Sequence, residues 1–455
     1  MVCKNATSGL QFWGAAVLTL ALCMAGNTGG AQDVFPSSKP GDAVVSINGT
    51  LSLDQAIGLA LAGNPELAAT AWDAAVAEEK LAGAEAARWP ILSAEAGYQH
   101  HLDDQRLMAA SYNGESGVFD DDIFRADLVL KIPLYSGGKI TSDIEAAELL
   151  HLAETKRLAR TREELVFNVT STFHALLGQG AVIRAVEESI AVMEAHIARL
   201  KALEAMHKVA PVDVMRTEVR LAGLRQALVR EANALAVGKR LLASLLGASD
   251  AGWTLDGVAS TPDSPTSSVD TLVTMALEKR ADYLAAQDRL AAQEKKIDAA
   301  RSGKLPVVAL AGAYGGRMTE TSESADVGSV GIGLSLPLFD GGRVDAQIRQ
   351  ERAVLAAARD RLRKLELQIR QDVETALLSL DVSIRQLAVG RQSVALAEEA
   401  LRIERLKYEM GRGTALDVLD TQAALLQAQT DVARTMADSN ISRAKLTLAT
   451  GEQFR

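Results

Sequence analysis

The residues best placed to do chemistry in this chain are aspartates at two interruptions of long helical sequence. "MGRGTALDVLDTQ" (Met410–Gln422) carries Asp417 and Asp420, and "MHKVAPVDVMRTE" (Met206–Glu218) carries Asp213 in the matching place, 204 residues earlier (417 − 213 = 204). Such carboxylates can cap a helix, attract a cation, or form a charged ring when an assembly repeats them around an axis. Their neighbours favour a helix-turn-helix tip. Gly411 or Gly413 can take the left-handed conformation that ends a helix. Thr414 can cap the next helix, with Asp417 three residues on as the other half of a capping box. Pro211 suits the first position of the earlier return helix and Asp213 its first turn. Asp420 follows Asp417 by one turn, so both can face the same way. Three copies around one axis would make two rings of like charge, a cation-selective constriction or a gate. The plainer reading is a pair of residues that answer the helix dipole. The first tip departs from the second: His207, Val209 and Ala210 stand where the second has Gly411, Gly413 and Thr414. That leaves its conformation open.

Little else points to a reaction. All six histidines lie in the first half, and "HHLDD" (His100–Asp104) with "DDD" (Asp120–Asp122) could hold a divalent metal. Nothing in their spacing fixes a coordination geometry, which favours a solvated loop. No serine–histidine–aspartate set or phosphate-binding loop stands in a supporting context, and nothing calls for a cofactor. The net charge of −10 gives no footprint for nucleic acid.

The elements that position the tips are duplicated. "LDQAIGLALAGNPELAATAWDAAVAEEKLAGAEAARWPILSAEAGY" (Leu53–Tyr98) aligns without a gap on Val269–Tyr314, an offset of 216. From "IPLYSGGK" (Ile132–Lys139) and "LPLFDGGR" (Leu336–Arg343) the offset becomes 204 and holds to Gly247/Gly451. The twelve-residue difference lies between Tyr98 and Pro133, so one connection is longer in the first copy. Residues 51–256 and 271–455 are thus two copies of one unit, joined by the Pro/Ser/Thr-rich linker 257–270.

Each copy reads as helix, strand, strand, long helix, tip and return helix. Strands are expected at about 91–101, 123–134, 307–317 and 327–338, because the hydrophobic period there is two. Phe124, Ala126, Leu128, Leu130 and Ile132 share one face, as do Val330, Ile332, Leu334 and Leu336, with Leu128 and Leu334 expected near the middle of a membrane. Strands of this length suit a tilted bilayer crossing, although a hairpin in a soluble α+β domain would look the same. The long helices are expected at 138–206 and 342–410, neither interrupted by proline, each roughly 100 Å. They run to tips at 207–213 and 411–417, from which helices return to 247 and 450. Val418, Leu425 and Val432 repeat at heptad spacing with Ala428 between, a coiled-coil seam. Four strands cannot close a barrel, so copies must pool their hairpins. Residues 1–31 read as a signal peptide ahead of an extended 32–50. Both cysteines fall within it, and Leu22 before Cys23 argues against lipidation.

At this point the sequence resembles the TolC-type outer-membrane efflux proteins. The resemblance is carried by "RADYLAAQDRLAAQEKKIDAARSGKLPVVALAGAYG", "LSLPLFDGGRVDAQIRQERA" and "YEMGRGTALDVLDTQAALLQAQ". It implies a mainly α fold with a small membrane β part, assembled as a homotrimer. The trimer's 12-stranded barrel would sit in outer-membrane lipid and continue as an α-helical tunnel through the periplasm. It implies an exit duct for a tripartite efflux pump or type I secretion system. The partners would be a periplasmic adaptor protein and an inner-membrane transporter of RND, ABC or MFS type. Asp417 and Asp420 would line the periplasmic aperture, and Tyr408 would bond to Asp213 between neighbouring helix pairs. The tip residues Gly411, Arg412, Gly413, Thr414, His207, Lys208, Val209, Ala210 and Pro211 would dock the adaptor. The alternative from another class is a soluble periplasmic coiled-coil adaptor or scaffold.

Overall fold

The structure, a computed structural model, describes residues 49–108, 118–249, 252–257, 261, 268–319 and 324–452. The expected signal peptide and most of the segment up to residue 50 lie outside the described residues. The first copy runs β1 (Thr50–Leu51), α1 (Leu53–Gly63), α2 (Pro65–Ala86), β2 (Ile91–Met108), β3 (Val118–Tyr135), α3 (Lys139–Ala205) and α4 (Pro211–Leu245). After β4 (Thr254–Leu255) come α5 (Val269–Lys279), α6 (Ala281–Arg301), a 3₁₀ turn, β5 (Val307–Thr319), β6 (Ser324–Ser335), α7 (Arg343–Glu409) and α8 (Ala415–Thr450). The single helix expected before each hairpin is two helices. Asn64, extended ahead of Pro65, ends α1 and caps α2 by accepting from the amides of Glu66 and Leu67. Arg280 takes the same extended conformation between α5 and α6.

Two cores repeat the internal symmetry. Around Trp253, Leu165, Val169, Leu176 and Leu242 pack against Ala56 and Ala60. In the second copy Ile369, Val373, Leu380 and Leu446 pack against Leu272 and Ala276, the residues at the repeat offsets. On α7 the buried positions Ile369, Val373, Ala376, Leu380, Ser383 and Leu387 alternate in steps of four and three, a coiled-coil seam. Small residues allow close helix contact: a Cβ on Gly178 would sit 2.7 Å from that of Ala437. The α3 helix packs on α2 and α6 over its first half, where Arg157 meets Asp73 and Lys156 meets Asp288. Further along it meets α4 and α8, with Gln179 donating to Glu231 and Met193 packing near Leu419.

The four long strands form one antiparallel sheet in the order β2-β3-β5-β6. Register sorts its faces. One carries Tyr98, Phe124 and Met318 in a row, then Leu128 with Tyr314, Leu130 with Gly312 and Val330, and Leu334 with Val308. The opposite face carries Ser93, Glu95, Asp127, Lys131 and Ser329, with Arg317 paired to Asp127. Two differences from expectation are physical. The first hairpin is taller, because β2 reaches Met108 whereas β5 stops at Thr319, so the extra residues partly continue the ladder. The β6 strand ends at Ser335 rather than near 338, since it is an edge strand with no neighbour to hold Leu336–Leu338, whereas β3 continues to Tyr135 on β5. The outer edges of β2 and β6 have no partner among the described residues. No described helix is long and apolar enough to cross a membrane.

Candidate functional site at the helix tips

The two tips share one backbone design. The α7 helix ends as Gly411 donates to the Tyr408 carbonyl at 3.0 Å and Arg412 to that of Lys407 at 2.8 Å. The α3 helix ends likewise, His207 donating to Glu204 at 2.8 Å and Lys208 to Leu203 at 2.9 Å. Both are Schellman motifs, which need a left-handed residue after the helix. Gly411 has φ +70°, and His207 matches it at +55°, the only described residue other than glycine with positive φ. The question the sequence left open is thereby answered: the first tip makes the same turn, at a cost of about 1–2 kcal/mol for a residue with a Cβ. Gly413 is not left-handed, so Gly411 alone supplies the turn.

The restarts differ. Thr414 and Asp417 form a reciprocal capping box. The threonine backbone and hydroxyl both donate to the Asp417 carboxylate, which holds it below the usual aspartate range. Ala210 offers α4 no side-chain cap, and Pro211 occupies the first helical position. Asp213 lies in that first turn, half-buried, with Arg216 Nη1 4.0 Å from its carboxylate. Asp417 and Asp420 are both exposed, as are His207, Lys208, Pro211 and Arg412, while Val209 is half-buried.

The tips are also tied side to side. Arg199 of α3 pairs with Glu409 of α7 at 3.0 Å, and Leu419 of α8 packs with Met193, Ile197 and Leu221. Arg405 of α7 donates to Gln422 of α8 at 2.8 Å. Tyr408 packs beside Leu401, Val418 and Leu425. Its hydroxyl is pushed above the ordinary phenol value, first by burial and then by the charge of Asp213. Asp213 of one helix pair thus lies within electrostatic reach of Tyr408 of the other, with no hydrogen bond between them among the described residues. The structure adds His196, whose ring stands 6.0 Å from that of Tyr408 at 63°. Arg199, Arg405 and His196 were not foreseen as members of this site. One signal was available: the repeat puts alanine, Ala400, at the position of His196.

At the far end of the hairpins, His100, Asp121 and Asp122 approach closely enough to share a metal ion, their ligand atoms all within 4.8 Å of one another. His100 is exposed and already pairs with Asp122 at 2.9 Å.

Comparison with known proteins agrees with this architecture. The family model described as outer membrane efflux protein matches residues 56–248 and 272–452, one stretch for each copy. The outer membrane efflux protein BepC of Brucella suis is 24% identical over 70% of both chains. The outer membrane protein TolC of Vibrio cholerae is 23% identical over 85% of this chain and 88% of that one. Among solved structures, a membrane protein from Pseudomonas aeruginosa superposes with a TM-score of 0.77 at 23% identity, covering 88% and 90% of the two chains.

Proposed function

The chain belongs to the outer membrane efflux protein family, and from that premise we propose that three copies assemble into an exit duct. Each protomer contributes its four-stranded sheet to a 12-stranded barrel in the outer membrane, and its long helices to a periplasmic tunnel. The observation that carries the reading is a set of unpartnered surfaces with complementary positions. The sheet has two open edges, which cannot stand in lipid. Away from the sheet, α7 exposes Val382, Val389, Leu396 and Ile403, followed by its C-cap Met410, at strict seven-residue spacing. The α4 helix exposes Val212, Met215, Val219, Val229, Val237 and Leu241. Heptad-spaced apolar residues on a solvent face are a seam awaiting another helix. A ring of protomers covers both helical faces and both sheet edges at once, and twelve strands leave room for a lumen. The polar sheet face with Glu95, Asp127, Lys131 and Arg317 then lines the water, and the apolar face meets lipid.

At the tips the same ring brings Asp417 and Asp420 around the axis as an aperture that favours cations, with Tyr408 and Asp213 as a clasp between helix pairs. The exposed tip residues, Lys208 and Arg412 among them, are the surface offered to a periplasmic adaptor, and through it to an inner-membrane transporter. The family match supports this reading and gives no support to a soluble adaptor or scaffold. Light scattering of the detergent-solubilised protein tests the assembly: a protein mass three times that of one chain is expected, and a monomer overturns it.

A further inference from the structure

Among the described residues, one buried side-chain polar atom near the tips lacks a partner. The Nε2 atom of His196 is buried and has no hydrogen-bond partner among the described residues. A buried imidazole nitrogen without a partner costs free energy, and the cost rises steeply if the ring also takes a proton. The ring lies edge-on against Tyr408, at the end where α3 packs on the α7–α8 pair through α8. The titratable and charged groups at this end of the bundle include Arg199 and Glu204 on its own helix, Arg405, Tyr408 and Glu409 on α7, Asp213 and Arg216 on α4, and Asp417 and Asp420 on α8, with Lys201–Glu218, Arg225–Glu194 and Lys407–Glu404 already paired. Glu409 is engaged by Arg199 and Asp417 by Thr414. The charges that bear on the imidazole are two guanidinium groups, Arg199 and Arg405.

We propose that His196 is a positioning residue for the aperture: neutral, it holds Tyr408 in place between the helix pairs, and protonated, it drives the α3–α4 and α7–α8 pairs apart and releases the clasp. This rests on the reading of Tyr408 and Asp213 as the clasp. The electrostatics give the direction. Burial first, then Arg199 and Arg405, hold the imidazole below its ordinary value of 6.5 in the packed tip. A tip that opens to solvent restores that value, so opening takes up a proton. The packed tip has its full advantage above pH 6.5 and loses it as pH falls from there through the depressed value. Within that window the ratio of open to packed tips rises by up to about tenfold per pH unit for each proton taken up.

The test is single-channel recording of the whole protein in planar bilayers at pH 7.5, 6.5 and 5.5, a range that leaves ordinary carboxylates ionised. Wild type, His196→Phe, His196→Gln and Tyr408→Phe are compared, each first checked for trimer content. The wild-type open fraction should rise as pH falls. His196→Phe keeps a ring against Tyr408 and should stay at the low pH 7.5 level throughout. His196→Gln should also lose the pH response, whatever its resting level. A wild type with no pH response, or either His196 variant keeping the wild-type response, overturns the proposal. Tyr408→Phe at pH 7.5 separates the two readings. If its resting conductance does not change, the clasp itself is wrong; if it rises while His196→Phe still responds to pH, only the role of His196 is wrong.

Discussion

Placing an arginine in the apolar band tests the orientation of the sheet, and its register says where the effect must be largest. From Val308 to Met318 the apolar rows climb ten residues on β5. That is about 33 Å along the strand, and about 25 Å along the membrane normal at a tilt near 40°. The midplane falls between the Gly312 row, which holds Leu130 and Val330, and the Tyr314 row, which holds Leu128. Leu334 pairs with Val308 at the lower border. If the apolar rows are the membrane band, this register puts it away from the midplane that the strand pattern alone suggested, because the alternation marks a face but not a depth. Leu128→Arg and Val330→Arg should therefore each cost about 2–4 kcal/mol per copy, about 6–12 kcal/mol in a trimer, whereas Leu334→Arg should cost about 0–1 kcal/mol per copy. Ser329→Arg, level with Ala313 on the polar face, should cost little. Denaturant titration of protein folded into lipid vesicles, with trimer content read on gels of unheated samples, gives the ranking. Equal costs for Val330→Arg and Ser329→Arg would refute the assigned faces. A cost for Leu334→Arg as large as for Val330→Arg would refute the placement of the midplane.

The tips supply three more predictions. Asp417→Asn with Asp420→Asn should weaken cation selectivity and block by multivalent cations while trimers persist, since a ring of carboxylates attracts cations more than scattered charge does; unchanged reversal potentials would leave both residues as surface and cap only. Tyr408→Phe should raise resting conductance without altering selectivity, measured in the same bilayers. His207→Gly should relieve the left-handed strain of the first tip by about 1 kcal/mol, and Ala210→Thr should add about 0.5–2 kcal/mol by capping α4; slower hydrogen exchange at residues 203–214 is expected, and faster exchange would show that the turn is not strained.

Much of the fold was legible because the sequence states it twice. The two offsets, the paired glycines before each long helix and the absence of proline along them foretold α3 and α7 to within a residue at each end. The capping box at Thr414 and Asp417 was readable because both partners lie within four residues. What depended on partners distant in sequence was not. The break between α1 and α2 follows from Asn64, whose amide also donates to the Leu245 carbonyl 181 residues away. The heights of the strands depend on which neighbour each finds in the sheet. At the tips, His196 meets Tyr408 and Arg199 meets Glu409 only because α3 packs on α8, the helix paired with α7. Each of these residues alone reads as an ordinary helix-surface side chain. The first tip shows the reverse: His207 left the turn in doubt, yet the Schellman bonds from its own amide and that of Lys208 hold the left-handed conformation.

Conductance of the purified protein in planar lipid bilayers tests the central claim most directly, since a duct must pass ions and a scaffold need not. The account predicts discrete, cation-favouring current steps from trimers inserted in the membrane, small at neutral pH while the tips are packed. Trimers that insert without any conductance, or protein that remains wholly in the aqueous phase, would contradict it.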